Sequence, residues 1–308
     1  MQKPTALARL GEVAEKEVLP LARRMLLGAR RRMGEVSTRV LGTDFDERSR
    51  RIGERYERRG GDPFGLDPMT AKYAAMVAAV FHRAWFRTVV DGIENVPHGK
   101  VLLVANHSGQ VPIDGAIIGA AMFMDAEPPR MIRAMVEKWA QTLPFVGTFF
   151  SRVGQVVGVP DNCRRLLEAG EAILVFPEGV RGVSKPFTRR YQLEDFGTGF
   201  MRLAIEAGAP ILPIAVIGAE EQYINLGNVG WLAKALGAPV FPLLPQIFVP
   251  GGMVPLPTRY HVYFGEPLHF TGDADDDDAV IEEKVWVVRQ TIQSMINRGL
   301  KQRKSLFF

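Results

Sequence analysis

Val101-Leu102-Leu103-Val104-Ala105-Asn106-His107-Ser108-Gly109-Gln110-Val111-Pro112-Ile113-Asp114 opens on five apolar residues and closes on an acid. Such an unbroken, partly β-branched run reads as a strand buried on both faces, as in parallel sheets. From Ile113 to Met124 the pattern becomes helical, so a polar loop joins strand to helix. Loops at strand ends are where open α/β sheets build their sites. A histidine there can accept a proton near neutral pH if a partner holds its tautomer. Gly109 and Pro112 permit a turn that returns Asp114 to His107, giving two members of a Ser-His-Asp-like set whose hydroxyl would come from a substrate. Taken alone, such a pair more often only caps a strand and starts a helix, so other segments must decide.

Further apolar runs predict strands at 173–176, 211–216 and 260–264, with weaker ones near Met131 and Gln155. Helical patterns fill 160–169 and 196–207. This alternation predicts an α/β fold, a mainly parallel sheet flanked by helices, with an N-terminal helical extension. Residues 1–68 read as a basic helical region and linker, with charged helices to about residue 58 and breakers at Gly60-Gly61-Asp62-Pro63 and Pro68; residues 69–308 read as the main domain. Between 69 and 89, Tyr73, Met76, Val77, Val80, Phe81 and Trp85 form a helical stripe, expected to pack on the core rather than on a membrane. Residues 226–257 are rich in Pro, Gly and large apolar side chains, and are expected to expose an apolar surface to a bilayer. A last helix at 280–297 carries Ile281, Val285, Val288, Ile292 and Met295 on one face and is expected to end at Gly299. Asp273 and the acids at 275–278 read as cap and dipole partners of that helix rather than as a metal cluster.

The single cysteine, Cys163, excludes an internal disulfide and a cysteine metal site, which suits a reducing compartment. The best candidate for a spanning helix, 69–90, is interrupted by Lys72, Arg83 and Arg87, and the start lacks the apolar block of a secretory signal. The expected location is therefore the cytoplasmic face of a membrane, held peripherally. Residues 1–60 hold 15 Lys and Arg against 9 Asp and Glu. Such a stretch suits either a surface that meets phosphate groups or a solvated helix laced with Glu/Arg pairs.

Phe176-Pro177-Glu178-Gly179-Val180-Arg181-Gly182 also follows a buried strand. Gly179 and Gly182 let backbone approach a ligand, Arg181 offers a planar fork of donors for phosphate, and Glu178 can accept from a hydroxyl or pin the arginine. Gly147-Thr148-Phe149-Phe150-Ser151-Arg152 brings a cation after an apolar turn, and Leu212-Pro213-Ile214-Ala215-Val216 is a strand with proline at its entrance. Each segment alone is weak. A hydrolase nucleophile elbow is absent, and neither glycine-containing stretch, 92–100 or 197–199, completes a nucleotide-binding pattern.

In this order and spacing the four segments resemble the glycerolipid acyltransferase family, which includes the bacterial lysophosphatidate acyltransferases. The resemblance runs over 96–218, with an echo in Gly265-Glu266-Pro267-Leu268. It implies a fatty acyl transfer from acyl-CoA or acyl carrier protein to a glycerolipid hydroxyl such as that of lysophosphatidate. His107 would be the general base and Asp114 its orienting acid, while Arg152, Glu178, Gly179 and Arg181 would bind the acceptor. Pro213 matches a block associated with the acyl or acceptor pocket. The resemblance implies no metal or other cofactor. The thioester is then a substrate, the partners are a membrane surface and its lipids, and no nucleic acid is expected. Six residues separate His107 from Asp114 where most members have four. That resembles a variant branch containing neutral-lipid acyltransferases, so a mono- or diacylglycerol acceptor is the alternative, beside an inactive membrane-binding protein. Gly182 stands where the family usually has Ser or Thr, which removes a hydroxyl that could have met the acceptor.

Overall fold

A computed structural model describes residues 38–108, 111–138, 145–235 and 240–307. The charged helices expected within 1–37 lie outside the described residues. Contacts group the chain into two compact units, Met1–Phe45 and Asp46–Phe308. The second unit contains the whole sheet.

Its strands are β1 (Val89–Asp91), β2 (Val101–Ala105), β3 (Ile132–Val136), β4 (Val156–Val157), β5 (Ala172–Val175), β6 (Ile211–Ile217) and β7 (His261–Phe264). Its helices are α1 (Phe45–Glu57), α2 (Pro68–Ala79), α3 (Ile113–Met124), α4 (Val146–Arg152), α5 (Pro160–Glu168), α6 (Val180–Val183), α7 (Gly199–Ala207), α8 (Gly230–Ala235) and α9 (Asp278–Gln302). The strands form one sheet in the order β1-β7-β6-β2-β5-β3-β4. Among the strands of the described residues only the β6–β7 pair is antiparallel, so the fold is α/β with a mainly parallel sheet. β2 lies near the middle, with Leu103 in register with Leu174 on one side and Leu212 on the other.

Alternation along β2 divides the core in two. Leu102 and Val104 face a cluster shared by α5, α7 and α9, while Leu103 and Ala105 face the side covered by α3. The predicted stripe of α9, Ile281 to Met295, is the face it buries. Gly299 does not end that helix. A Cβ there would lie 2.5 Å from Ile217 Cδ1 and 2.6 Å from Tyr263 Cε2, so the glycine allows close packing on β6 and β7 rather than termination.

The continuous helix expected over 69–89 is also divided. α2 starts at the Asp67 cap, whose carboxylate accepts from Thr70 N–H at 3.1 Å, and it passes at Val80–Trp85 into a π turn. The turn closes with Phe86 N–H on Phe81 O at 2.8 Å, Arg87 takes a positive φ of 48°, and the chain enters β1. Phe86 is thereby buried, its ring centroid 4.4 Å from that of Tyr260. The apolar stripe expected to pack on the core divides: Tyr73, Val77, Val80 and Trp85 are exposed, Met76 is half-buried, and Phe81 packs against the core.

Of the two readings of the arginine-rich stretch, residues 46–59 match the helix laced with Glu/Arg pairs. On one side of α1, Arg50 and Arg58 pair with Glu47 and Glu54 on the helix itself. On the other, Arg48, Arg51 and Arg55 reach Ala126 O, Glu127 and Gly170 O at 2.8, 2.7 and 2.9 Å, and Arg59 meets Glu171. Asp62, in the expected linker, grips the buried Arg133 with both carboxylate oxygens, at 2.7 and 3.1 Å.

Candidate active site

The site begins where β2 runs out. Asn106 carries the pairing one residue past the strand: its Oδ1 accepts Val216 N–H at 2.7 Å and its Nδ2 donates to Val216 O at 3.0 Å. The backbone that follows is therefore anchored to β6. His107 comes next, with its main-chain N–H donated to Glu178 Oε1 at 2.9 Å.

Asp114, in the first turn of α3, returns to the loop. Its Oδ2 lies 2.8 Å from His107 Nδ1 and accepts Ser108 N–H at 2.9 Å, while Oδ1 accepts Gly115 N–H at 2.8 Å. The acid is fully buried, and these contacts give each of its oxygens a hydrogen-bond partner. A carboxylate that only accepts fixes the proton on Nδ1, which leaves the Nε2 lone pair as the basic atom. Nε2 has no partner among the described residues, and 15% of the side chain stays exposed. The ring is also stacked on Phe176 at 4.0 Å and 17°, so both its tilt and its rotation are constrained. Ser108 offers no rival nucleophile, since its hydroxyl is buried without a hydrogen bond.

A second His–Asp pair serves as a control. Asp125, the C-cap of α3, lies 2.9 Å from His82 Nε2. That histidine side chain is only 3% exposed, so no substrate can reach it. Helix α3 thus has an acid–histidine pair at each end, and only the one at its N-terminus opens outward.

The segment after β5 packs on the first. Gly179 has φ 57° and ψ −145°, a backbone region that side chains bearing Cβ avoid. Gly182 lies against the base itself: a Cβ there would stand 2.8 Å from Glu178 Cβ and 3.0 Å from His107 Cβ. A side chain at this position would crowd the base. Arg181 is exposed and donates to Asp195 O at 2.9 Å. Arg152 is not gathered with the others; it is exposed at the end of α4, and its carbonyl accepts Asp67 N–H at 2.9 Å. Pro213 lies on β6 beside Val104 of β2.

Sequence reasoning missed a buried charge network behind Glu178. Lys185 Nζ reaches Glu178 Oε2 at 3.2 Å, Glu220 Oε1 at 3.3 Å and Gln192 O at 3.0 Å. Burial pushes the Glu220 carboxyl up to about 7, against the pull of Lys185. One signal was available: Glu220 and Glu221 directly follow the apolar run of β6, where acids demand partners.

A model of the family described as Acyltransferase matches residues 87–217, which include every one of these site residues up to Arg181. An uncharacterized protein of Mycobacterium leprae is 39% identical over 255 residues, covering 80% of this chain and 70% of that one. The chain belongs to the acyltransferase family. The crystal structure of the 1-acyl-sn-glycerophosphate (LPA) acyltransferase PlsC from Thermotoga maritima has the same fold, with a TM-score of 0.50 at 20% identity over 77% of this chain and 83% of that one. A more distant relative of this acyltransferase-family chain is the mouse DGAT1/2-independent enzyme synthesizing storage lipids, 23% identical over 217 residues, 70% of this chain and 61% of that one. Among the described residues no group of three or more His, Cys, Asp or Glu could hold a metal, and no helix is long and apolar enough to cross a membrane.

Proposed function

We propose that the protein transfers a fatty acyl group from an acyl thioester, on coenzyme A or acyl carrier protein, to a hydroxyl of a glycerolipid. The single observation that carries this reading is the His107 ring, bonded to Asp114 through Nδ1 at 2.8 Å and open at Nε2. In the proposed reaction Nε2 removes the proton of the acceptor hydroxyl as its oxygen attacks the thioester carbonyl. The C–S bond then breaks, the imidazolium returns the proton to the departing thiolate, and ester and thiol leave. Asp114 stabilises the imidazolium between these steps. The test is purified protein with acyl-CoA and a panel of lipid alcohols, reading thiol release. Acceptor-dependent release in wild type, lowered at least about 100-fold in His107→Ala, supports the reading; release indifferent to that substitution sinks it.

Arg181, exposed on the segment that packs on His107, is the proposed contact for a phosphate on the acceptor, beside a wall built by Glu178 and Gly179. An Arg181→Ala variant should raise KM for lysophosphatidate and leave that for a neutral alcohol unchanged. Equal effects on both would remove the phosphate role. A neutral mono- or diacylglycerol acceptor is the second reading. The six-residue spacing between His107 and Asp114 favours it, as does the storage-lipid synthesis named for the mouse relative. The acceptor panel separates the two directly.

Membrane association is part of the proposal. Helix α2 and its π turn are inverted relative to a soluble amphipathic helix: Tyr73, Val77, Val80 and Trp85 of the apolar stripe face out while Lys72, Arg83 and Arg87 are bonded to Asp46, Asp125, Pro257 O and Phe307 O. Trp85 Nε1 donates to Pro255 O at 3.0 Å, which ties this helix to the 245–255 segment. There Ile247, Phe248, Val249, Met253 and Val254 are also exposed. Two exposed apolar surfaces joined in this way suit the boundary of a lipid leaflet, at the cytoplasmic face in our reading.

A further inference from the structure

Lys185 is a side chain that the reaction as written does not use. Its ammonium is nearly sealed from solvent, with 2% of the side chain exposed, and three acceptors surround it: Glu178 Oε2, Glu220 Oε1 and Gln192 O. An ammonium has three protons, so every donor is matched. Glu178 is equally committed. Its Oε1 takes the His107 N–H, and its Oε2 takes both Lys185 and the Glu194 N–H at 2.8 Å. One carboxylate thus buckles together the backbone that carries the base, the 192–195 loop and the segment that carries Arg181.

A buckle of this kind needs a counter-charge. A buried carboxylate without one protonates or moves toward water, and either change alters what it holds. Glu178 is buried and is paired with Lys185 alone among the ion pairs of the described residues. Glu220, on the far side of Lys185, has its own affinity for protons raised by burial and by Glu178. Gly182 packs against both Glu178 and the His107 backbone, where a Cβ would meet Glu178 Cβ at 2.8 Å and His107 O at 3.1 Å.

We propose that Lys185 is a positioning residue of the acyl-transfer site: its buried ammonium, held by Glu220 and the Gln192 carbonyl, keeps the Glu178 carboxylate on the His107 amide and so fixes the backbone from which the base projects. The claim rests on His107 being the base, and it adds a residue outside the four motif segments that sequence resemblance supplies. Lys185 touches no substrate; it acts through Glu178.

The experiment uses the full-length protein and compares Lys185→Met with Lys185→Met/Glu220→Gln. The single variant leaves two buried carboxylates facing each other and is expected to lose thermal stability. The double variant removes one of them, and its midpoint should return most of the way to wild type. If Lys185 positions the site, kcat in the double variant stays about 100-fold low, the scale at which small misplacements of reacting groups act. KM for donor and acceptor should change by less than about threefold in the same variant, since no substrate contact is lost. Amide exchange of the segment around His107 should rise by at least about tenfold as its acceptor loosens. Recovery of kcat together with the midpoint, or unchanged exchange at His107, overturns the proposal and leaves Lys185 a structural counter-ion. Should wild type release no thiol at all, the acyl-transfer reading fails, and the exchange measurement alone still decides whether Lys185 holds that backbone.

Discussion

Glycine at 182 is a requirement of where His107 sits. A methyl group there would meet Glu178 Cβ at 2.8 Å, His107 Cβ at 3.0 Å and His107 O at 3.1 Å, and two of those three atoms belong to the base. We expect Gly182→Ser to lower kcat at least about tenfold while moving the thermal midpoint by only a few degrees, because a displacement of a few tenths of an ångström harms aim more than packing. Steady-state kinetics beside a melting curve checks this; full activity in the serine variant would mean that the loop yields freely. Glu220 supports a prediction about pH. Its folded carboxyl titrates near 7 against an ordinary 4.5, because burial disfavours the anion. The native state therefore holds a proton that the unfolded state releases first. Its contribution is complete below about pH 4.5 and is lost as pH rises toward about 7, by an amount of order 3 kcal/mol. Glu220→Gln should accordingly flatten the fall in stability over that interval, which urea titrations at several pH values would detect. At this scale His107 and Asp114 were legible in the sequence because loop chemistry after a buried strand is local. Lys185 and Glu220 were not, since they lie 35 residues apart and meet only through tertiary packing.

Element by element, legibility follows how local the cause is. The central strands announce themselves as apolar runs, and α3 and α5 follow from their own periodicity. Helix α2 does not: its stripe has the spacing of a core-facing helix, and nothing in that spacing says which side the core occupies. The deciding facts are distant ones, namely Asp46, Asp125 and the carbonyls of Pro257 and Phe307, which engage the basic residues of the helix. The end of α9 was misread for a related reason. Gly299 has the composition of a stop signal, yet Ile217 and Tyr263 press so close that only glycine fits. Gly299→Val should cost about 1 to 3 kcal/mol through overpacking, although it improves nothing less than helix propensity at that position. An unaltered or raised unfolding midpoint would show that α9 can shift away from β6.

For the molecule as a whole, the expected consequence of the inverted helix is partition onto lipid. Val77→Asp and Phe248→Asp each place a charge on a different element of the exposed apolar surface, and both residues are already in water, so folding should be unaffected. Sedimentation with anionic and zwitterionic vesicles should show at least about tenfold weaker association for each variant, and activity on vesicle-borne acceptor should fall with it while activity on a soluble short-chain alcohol persists. Binding equal to wild type in both would assign these side chains to another role.

The sheet order carries one more consequence. Among the described residues β1 is joined to the rest only by β7, and β7 is antiparallel to its other neighbour, β6. During synthesis, then, the segment Val89–Asp91 leaves the ribosome long before the strand it pairs with has been made. The centre of the sheet, β2 with β5 and β6, can assemble first, and the β1 margin must close last, as a seam between early and late parts of the polypeptide. Pulse-labelled nascent chains halted before His261 should therefore protect Val101–Ala105 and leave Val89–Asp91 open.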